Sequence, residues 1–426
     1  MLAKQIIEKK RDGGELTSEE IQFMVMGATN GQIKDYQVSA WLMAILCRGM
    51  TEAEIACLTE VMLRSGNRLQ RCSDRPRVDK HSTGGLGDKT SLILAPLLAC
   101  FDLDVPMLSG RGLGITGGTL DKLESYEGYR CDLQTEEINR QLQEIGCVIT
   151  GTTKDITPAD RYLYALRDVT GTVPSVALIT GSIMSKKLAE SLDALVLDVK
   201  WGSGAFMRSI QQAQELESSL IRTGRRMGVV TTSLLTDMNH PLGRMVGNAC
   251  EVNESLDVLR GGGPDDVREL TLALAAELLV STGRATSQQQ ALPLLQKALE
   301  DGRTLTRYQS MIEAQGGKFR EYLPLARSHT LEASQSGWLA TIEGSTLGHA
   351  IVAMGGGRNQ QSDPVDKRVG FEFLVRVGDP IEVGQPLMRV FYDGSQVQTE
   401  TLMSQAQSAL SIVDTPTSPL KLIANH

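Results

Sequence analysis

No run of about 18 apolar residues occurs in the 426-residue chain, so no membrane-crossing helix of ordinary length is expected. The first residues, Met1-Leu-Ala-Lys-Gln-Ile-Ile-Glu8, lack the apolar core and small-residue cleavage site of a secretory signal. A cytoplasmic location is expected. The seven cysteines (47, 57, 72, 100, 131, 147 and 250) contain no C-x-x-C pair, which leaves neither a disulfide framework nor a thiolate metal site. The five histidines lie far apart and none stands in an H-E-x-x-H spacing, so no catalytic transition metal is expected. Excess basic charge is also missing. A net charge of -8 and only 4% aromatic residues argue against counterion-releasing or base-stacking contact with nucleic acid. Any phosphate must be held locally.

What is present is ample apolar material, 41% of the chain, enough for roughly two or three domains of usual size. Residues 1–65 read as helices. Thr17-Ser-Glu-Glu20 and Thr51-Glu-Ala-Glu54 are capping boxes, and Trp41, Leu42, Ile45 and Leu46 recur at helical spacing. From Arg77 short apolar runs alternate with helical patterns, at Val105, Val148, Ala194 and Val229. That alternation implies an α/β sheet. Residues 160–193 look helical again, so the helical domain is expected to be discontinuous (1–65 and 160–193), flanking an α/β domain at 75–155 and 194–330. Residues 264–315 read as further helices. A β-rich α+β domain is expected at 336–426; its run from Gly370 to Leu387 is like a carrier-module hairpin without a lysine at an evident tip, and is read as structural.

Two glycine-rich stretches carry chemistry. In Val78-Asp-Lys-His-Ser-Thr-Gly-Gly-Leu-Gly-Asp-Lys-Thr-Ser91, an apolar approach leads into a glycine loop and then a helix expected to begin near Asp88. Glycines 84, 85 and 87 let backbone N–H groups approach an anion, the helix start adds a favourable dipole, and Lys80, Ser82 and Ser91 supply charge and hydroxyls. Asp88 separates Gly87 from Lys89, so this is not a Walker loop, which needs Gly directly before Lys. The bland alternative is an ordinary turn with Lys80 and Lys89 solvated.

The second stretch, Ser109-Gly-Arg-Gly-Leu-Gly-Ile-Thr-Gly-Gly-Thr-Leu-Asp-Lys-Leu-Glu124, follows another strand and reads as a second anion cradle. Gly112, Gly114 and Gly117 formally match a dinucleotide fingerprint, with Glu136 or Glu137 near the expected distance. Its place on the second strand and its many hydroxyls and charges fit a nicotinamide site poorly.

Tyr164-Ala-Leu-Arg-Asp168 and Ile179-Thr-Gly-Ser-Ile-Met-Ser-Lys-Lys-Leu-Ala189 form a third constellation. On a helix beginning near Ser182, Ser182 and Lys186 share one face. They either grip a ligand together or are a capping serine and a solvated Lys186-Lys187 pair.

Together these segments closely resemble the thymidine and pyrimidine-nucleoside phosphorylase family, whose signature runs near S-G-R-G-L-x-x-T-G-G-T-x-D-K-L-E. Lys80-His-Ser-Thr-Gly-Gly, Arg167-Asp-Val-Thr, Ser182-Ile-x-x-Lys-Lys, Asp198-Val-Lys-Trp-Gly-Ser-Gly-Ala-Phe-Met207 and Ala353-Met-Gly-Gly-Gly-Arg358 also fit. The resemblance implies a homodimer in which phosphate attacks C1′ of a pyrimidine nucleoside. Free base and pentose 1-phosphate would result. It assigns phosphate binding to Lys80, Ser82, Ser91, Ser109 and Thr119, and catalysis to His81, Arg167, Ser182 and Lys186. Leu113, Thr116 and Tyr164 would join Arg167, Ser182 and Lys186 around the nucleoside. No cofactor is implied beyond phosphate as co-substrate, and no nucleic-acid or membrane partner.

The expected substrates are thymidine and deoxyuridine, with a broader enzyme that also takes uridine as the alternative. Anthranilate phosphoribosyltransferase-like chemistry and a non-catalytic or signalling role are further alternatives. The chain departs from the family at Ile115, where relatives commonly have His, and at Thr170-Gly-Thr-Val-Pro-Ser175, where Pro174 replaces an acid. Lys89 stands where some broad-specificity relatives carry a Thr that helps bind a monovalent cation, and Met107 where they carry Lys. Near Glu254 the Lys89 ammonium is expected to stand in for that cation.

Overall fold

The computed structural model describes residues 1–112, 117–358 and 363–424. Along the chain come α1 (Ala3–Arg11), α2 (Ser18–Thr29), α3 (Asp35–Arg48), α4 (Glu52–Arg64), β1 (Val78–Ser82), α5 (Thr90–Ala99), β2 (Val105–Leu108), α6 (Thr119–Leu123), α7 (Thr135–Ile145) and β3 (Cys147–Thr150). Then follow α8 (Pro158–Thr170), α9 (Val176–Ala189), β4 (Ala194–Trp201), α10 (Ile210–Arg226), β5 (Val230–Asp237), β6 (Met245–Gly247), α11 (Ala249–Leu259), α12 (Asp265–Ser281), α13 (Gln288–Glu300) and α14 (Arg303–Ala314). The chain closes with β7 (Ser328–Glu332), β8 (Gly337–Ile342), α15 (Gly344–Ala353), β9 (Gly370–Phe373), β10 (Pro380–Ile381), β11 (Pro386–Phe391), α16 (Gln396–Ser408) and β12 (Leu410–Val413).

Both capping boxes form as the sequence implies: the Thr17 and Thr51 hydroxyls accept the backbone N–H of Glu20 and Glu54, whose carboxylates accept back. Helices α2, α3 and α4 bury Ile21, Met24, Trp41, Leu42, Ile45 and Leu58 in one core with Ala159, Leu163, Ala177 and Leu178 of α8 and α9. Strands β1, β4 and β5 are parallel in the order β1-β4-β5. The parallel pair β2 and β3 joins them through a single bridge from Arg77 to Asp104. Covered on both faces, β2, β3 and the first half of β4 are apolar runs, whereas β1 carries Asp79, Lys80 and His81 toward the site. One face packs on α5 and α11 to α14, the other on α7, α9 and α10.

Helix α9 belongs to two cores. Its first turns, at Ala177 and Leu178, pack among the N-terminal helices, and its last turns, at Ile183, Met184 and Leu188, pack against the sheet. The helix begins at Val176 with Ser175 as its cap. The expected start near Ser182 is therefore corrected: Ser182 is mid-helix and buried, so its hydroxyl is not spent on capping. The strong signal at Val176, a serine cap before an apolar run, was hidden by the preceding Pro174.

The C-terminal sheet, β6-β9-β11-β7, takes in β6 and β7, which precede residue 336. Through β6 this sheet is stitched to the segment that leads into α11. A second sheet, β10-β8-β12, packs with α15 and α16 around Leu347, Ile351, Leu402 and Ala406.

Candidate active site

Ligands of parallel α/β sheets bind beyond the carboxyl ends of the strands, and the two glycine loops leave β1 and β2 at that edge. The first loop runs from Thr83 to Lys89, and α5 starts at Thr90, two residues after the expected point. Gly87 has φ +77°, and a Cβ there would lie 2.6 Å from the Leu242 carbonyl. Only glycine allows both that backbone conformation and that approach.

Beneath this loop lies a buried cluster of charge. Lys80 Nζ donates to Thr90 Oγ1 at 2.7 Å and lies 3.4 Å from Asp88 Oδ2 and 3.5 Å from Asp198 Oδ2. Lys200 Nζ lies 2.9 Å from Asp198 Oδ2 and 4.0 Å from Asp88 Oδ2, and Thr236 Oγ1 donates to Asp198 Oδ1 at 2.6 Å. Burial acts to raise the Asp88 carboxyl, but the ammoniums of Lys80, Lys200 and Lys122 outweigh it and hold the acid well below the usual carboxylate range. Lys80 is thus no solvated surface lysine. Ser82 Oγ accepts the Gly84 N–H at 3.2 Å, and Ser91 is buried in the first turn of α5.

In the second stretch, Ser109 is held by its N–H donating to the Thr150 carbonyl at 2.8 Å, and Thr119 opens α6. That helix has five residues, too short to supply the dipole of a long one. Leu113, Ile115 and Thr116 lie outside the described residues. The bases of the loop touch: a Cβ on Gly118 would fall 2.1 Å from the Gly112 nitrogen. Asp121 Oδ2 accepts the Gly112 N–H at 2.6 Å. Its neighbour Lys122 donates to the Asp88 carbonyl at 2.6 Å and pairs with Glu251 at 2.8 Å. The small helix thereby ties both glycine loops together, a role that the sequence reading missed because neither residue has a ligand-like spacing.

The third constellation converges on α8 and α9. Lys186 Nζ donates to Ser182 Oγ at 2.9 Å and to Asp160 Oδ2 at 2.5 Å. The two side chains therefore meet on one face of α9, and the cap of that helix is Ser175 rather than Ser182. Arg167 is buried; its guanidinium donates to the Val173 and Leu178 carbonyls at 2.8 and 3.0 Å and lies 5.6 Å from the centre of the Tyr164 ring. Arg167 Nε and Asp160 Oδ1 are buried without a hydrogen-bond partner among the described residues, a cost that native folds keep rare. Asp160 was not among the expected site residues. A signal existed: 160, 164 and 167 are spaced four and three apart and share one face of α8.

Asp160 fixes the position of the Lys186 ammonium through this contact. Asp160→Asn is expected to lower kcat about 10²-fold, the usual consequence of misplacing a group by an ångström. Steady-state kinetics checks this; an unchanged kcat removes Asp160 from the account.

Lys187, half of a solvated pair on the bland reading, is instead buried. Its ammonium contacts Asp79 and lies 2.8 Å from Glu190 Oε1 and 3.0 Å from the Leu108 carbonyl. Burial, then the Asp79 carboxylate, push the Glu190 carboxyl well above its ordinary range. Lys187 thereby bolts the end of α9 to β1 and β2, next to Lys186 on the same helix. His81, on β1, feels the lysines of both segments. Burial, then Lys187, Lys186 and Lys80, drive its imidazole well below the ordinary value, which favours the neutral ring.

Lys89 is also buried. Its ammonium meets Glu254 Oε2 at 2.5 Å and the Leu242 and Met245 carbonyls at 2.8 and 2.9 Å. Burial opposes the charge, but Glu254 and then Glu251 outweigh it and raise the ammonium. With these three oxygens already on Nζ, the residues present do not fit a metal cation at the same point.

This arrangement combines an N-terminal helical bundle with a parallel sheet and two glycine-rich loops at its carboxyl edge. The architecture is similar to that of anthranilate phosphoribosyltransferase from Thermus thermophilus, with a TM-score of 0.58 at 18% identity over 73% of this chain and 99% of that one, a likeness of fold alone. Residues 74–305 match the glycosyl transferase family a/b domain, 4–66 its helical bundle domain, and 338–413 the pyrimidine nucleoside phosphorylase C-terminal domain. The pyrimidine-nucleoside phosphorylases of Staphylococcus aureus strains USA300 and N315 are each 41% identical over 421 residues, 97% of both chains. The chain belongs to the pyrimidine-nucleoside phosphorylase family and is a pentosyltransferase.

Proposed function

We propose that the chain catalyses phosphorolysis of thymidine and deoxyuridine, within the pyrimidine-nucleoside chemistry its relatives are named for. The observation that carries this reading is the Lys186-Ser182 pair, held by Asp160 on a helix rooted in both cores. A pyrimidine anion is a poor leaving group. Cationic donors at its carbonyl edge stabilise the departing charge while the sugar gains oxocarbenium character, each well-placed donor contributing about 3 kcal/mol. Lys186, Ser182 and Arg167 serve that role, and neutral His81 adds a hydrogen bond near the base. Lys80, Ser82, Ser91, Ser109 and Thr119 hold phosphate with the amides of the first glycine loop. Leu113, Thr116 and Tyr164 line the nucleoside.

Approach of the helical part to the sheet edge brings nucleoside to phosphate and excludes water. The chain works as a cytoplasmic homodimer and needs no cofactor, the Lys89 ammonium taking the place of a monovalent cation. Lys89 and Met107, which depart from broad-specificity relatives, support the preference for deoxynucleosides. Comparing turnover of thymidine, deoxyuridine and uridine tests it: uridine is expected to react far more slowly, and equal rates would show a broad enzyme. Ser82→Ala is expected to raise KM for phosphate about tenfold with little change in kcat, the pattern of lost ground-state binding.

A further inference from the structure

The second glycine loop is fastened from outside its own domain. Arg358, which follows α15, is buried and places Nη1 2.6 Å from Asp121 Oδ1. The other oxygen of Asp121 takes the Gly112 N–H at 2.6 Å, so one carboxylate spans the loop base and the arginine. Around it, Asn248 Nδ2 donates to the Gly356 carbonyl at 2.9 Å, Ala249 N–H to the Lys367 carbonyl at 3.0 Å, and Lys367 Nζ to the Glu124 carbonyl at 2.9 Å. Arg111 lies 3.6 Å from Asp121 but is half exposed and closer to Glu124, at 2.5 Å. The Arg358 pair is the dry one, where a charge-assisted contact is strongest and its loss most costly.

We infer that Arg358 is a positioning residue for phosphate: through Asp121 it sets the base of the 109–119 loop, so the C-terminal domain governs how well Ser109 and Thr119 present their hydroxyls. This inference rests on the phosphate reading of that loop. Arg358 touches no reacting atom. A loop held at 112 and 121 also keeps Lys122 in place, whose ammonium reaches the Asp88 carbonyl of the first loop. One arginine from the far end of the chain is thereby linked, through α6, to both glycine loops.

The test compares wild type, Arg358→Ala and Arg358→Lys in two measurements on the full chain. In amide hydrogen exchange, Arg358→Ala is expected to speed exchange across 109–122 by about tenfold or more, with α1 to α4 and β4 unaffected. In kinetics, KM for phosphate should rise about tenfold or more while kcat falls less, and Arg358→Lys should recover part of the loss. Unchanged exchange in 109–122, an unchanged KM for phosphate, or faster exchange throughout the chain with kcat alone lowered and no recovery by lysine, overturns the inference. If wild type shows no phosphate-dependent turnover, the phosphate reading fails, and the exchange measurement still decides whether Arg358 holds the loop.

Discussion

Lys186→Ala lowers kcat by about 10³-fold or more, with the folded structure retained. The magnitude is that of removing a donor aimed at developing negative charge, and Lys186 is the only ammonium on α9 that the described residues leave partly exposed: its side chain is 24% accessible, while that of Lys187 is 2%. Removing it breaks a contact with Asp160 but opens no hole in a core. Lys186→Gln, which keeps the length and a donor but not the charge, should recover little turnover. Circular dichroism establishes the fold and initial rates establish the loss; near-normal turnover in either variant would take Lys186 out of the chemistry.

Lys89→Thr has the largest expected effect on stability. Removing the ammonium leaves Glu254 buried and uncompensated, at a cost of about 3–5 kcal/mol. Glu254 also accepts the N–H groups of Arg244 and Met245 at 2.9 and 3.1 Å, which soften but do not cancel that cost. The sign with pH follows from the raised ammonium: its stabilisation is complete below the ordinary lysine value and is lost only as pH climbs through the elevated one, so neutral pH is safe. If Lys89 stands where a cation would sit, potassium chloride should restore part of the stability of Lys89→Thr, and choline chloride should not. Wild type should be indifferent to both salts. Denaturant midpoints in the two salts check this, and potassium-dependent activity of wild type would contradict the assignment of Lys89.

Local signals in the sequence were read well where the deciding physics is local. The capping boxes at Thr17 and Thr51, the strands at Val105, Val148 and Ala194, and the alternation of strand and helix all depend on neighbours within a few residues, and they form where expected. The pairing of Ser182 with Lys186 was also legible, because four residues on a helix fix a distance whatever the helix start. The buried partners were not. Lys187 is paired with Asp79, 108 residues away, Lys89 lies 165 residues from Glu254, and Arg358 lies 237 from Asp121. Adjacent lysines look solvated until a distant strand is laid against them. Of these, the family resemblance puts only Lys89 near its acid, and spacing puts none there. Asp160 was overlooked because a carboxylate four residues from Tyr164 reads as ordinary helix surface until Lys186 is brought to it.

The central claim is that the two halves act on one substrate pair, phosphate attacking the sugar while Lys186 and its neighbours hold the base. The most direct measurement is the product mixture from thymidine and inorganic phosphate, followed by phosphorus NMR for the sugar phosphate and by absorbance for free thymine. The account predicts equal amounts of 2-deoxyribose 1-phosphate and thymine, both vanishing when phosphate is omitted. Thymine released equally without phosphate, or no thymine at high enzyme concentration, would contradict it.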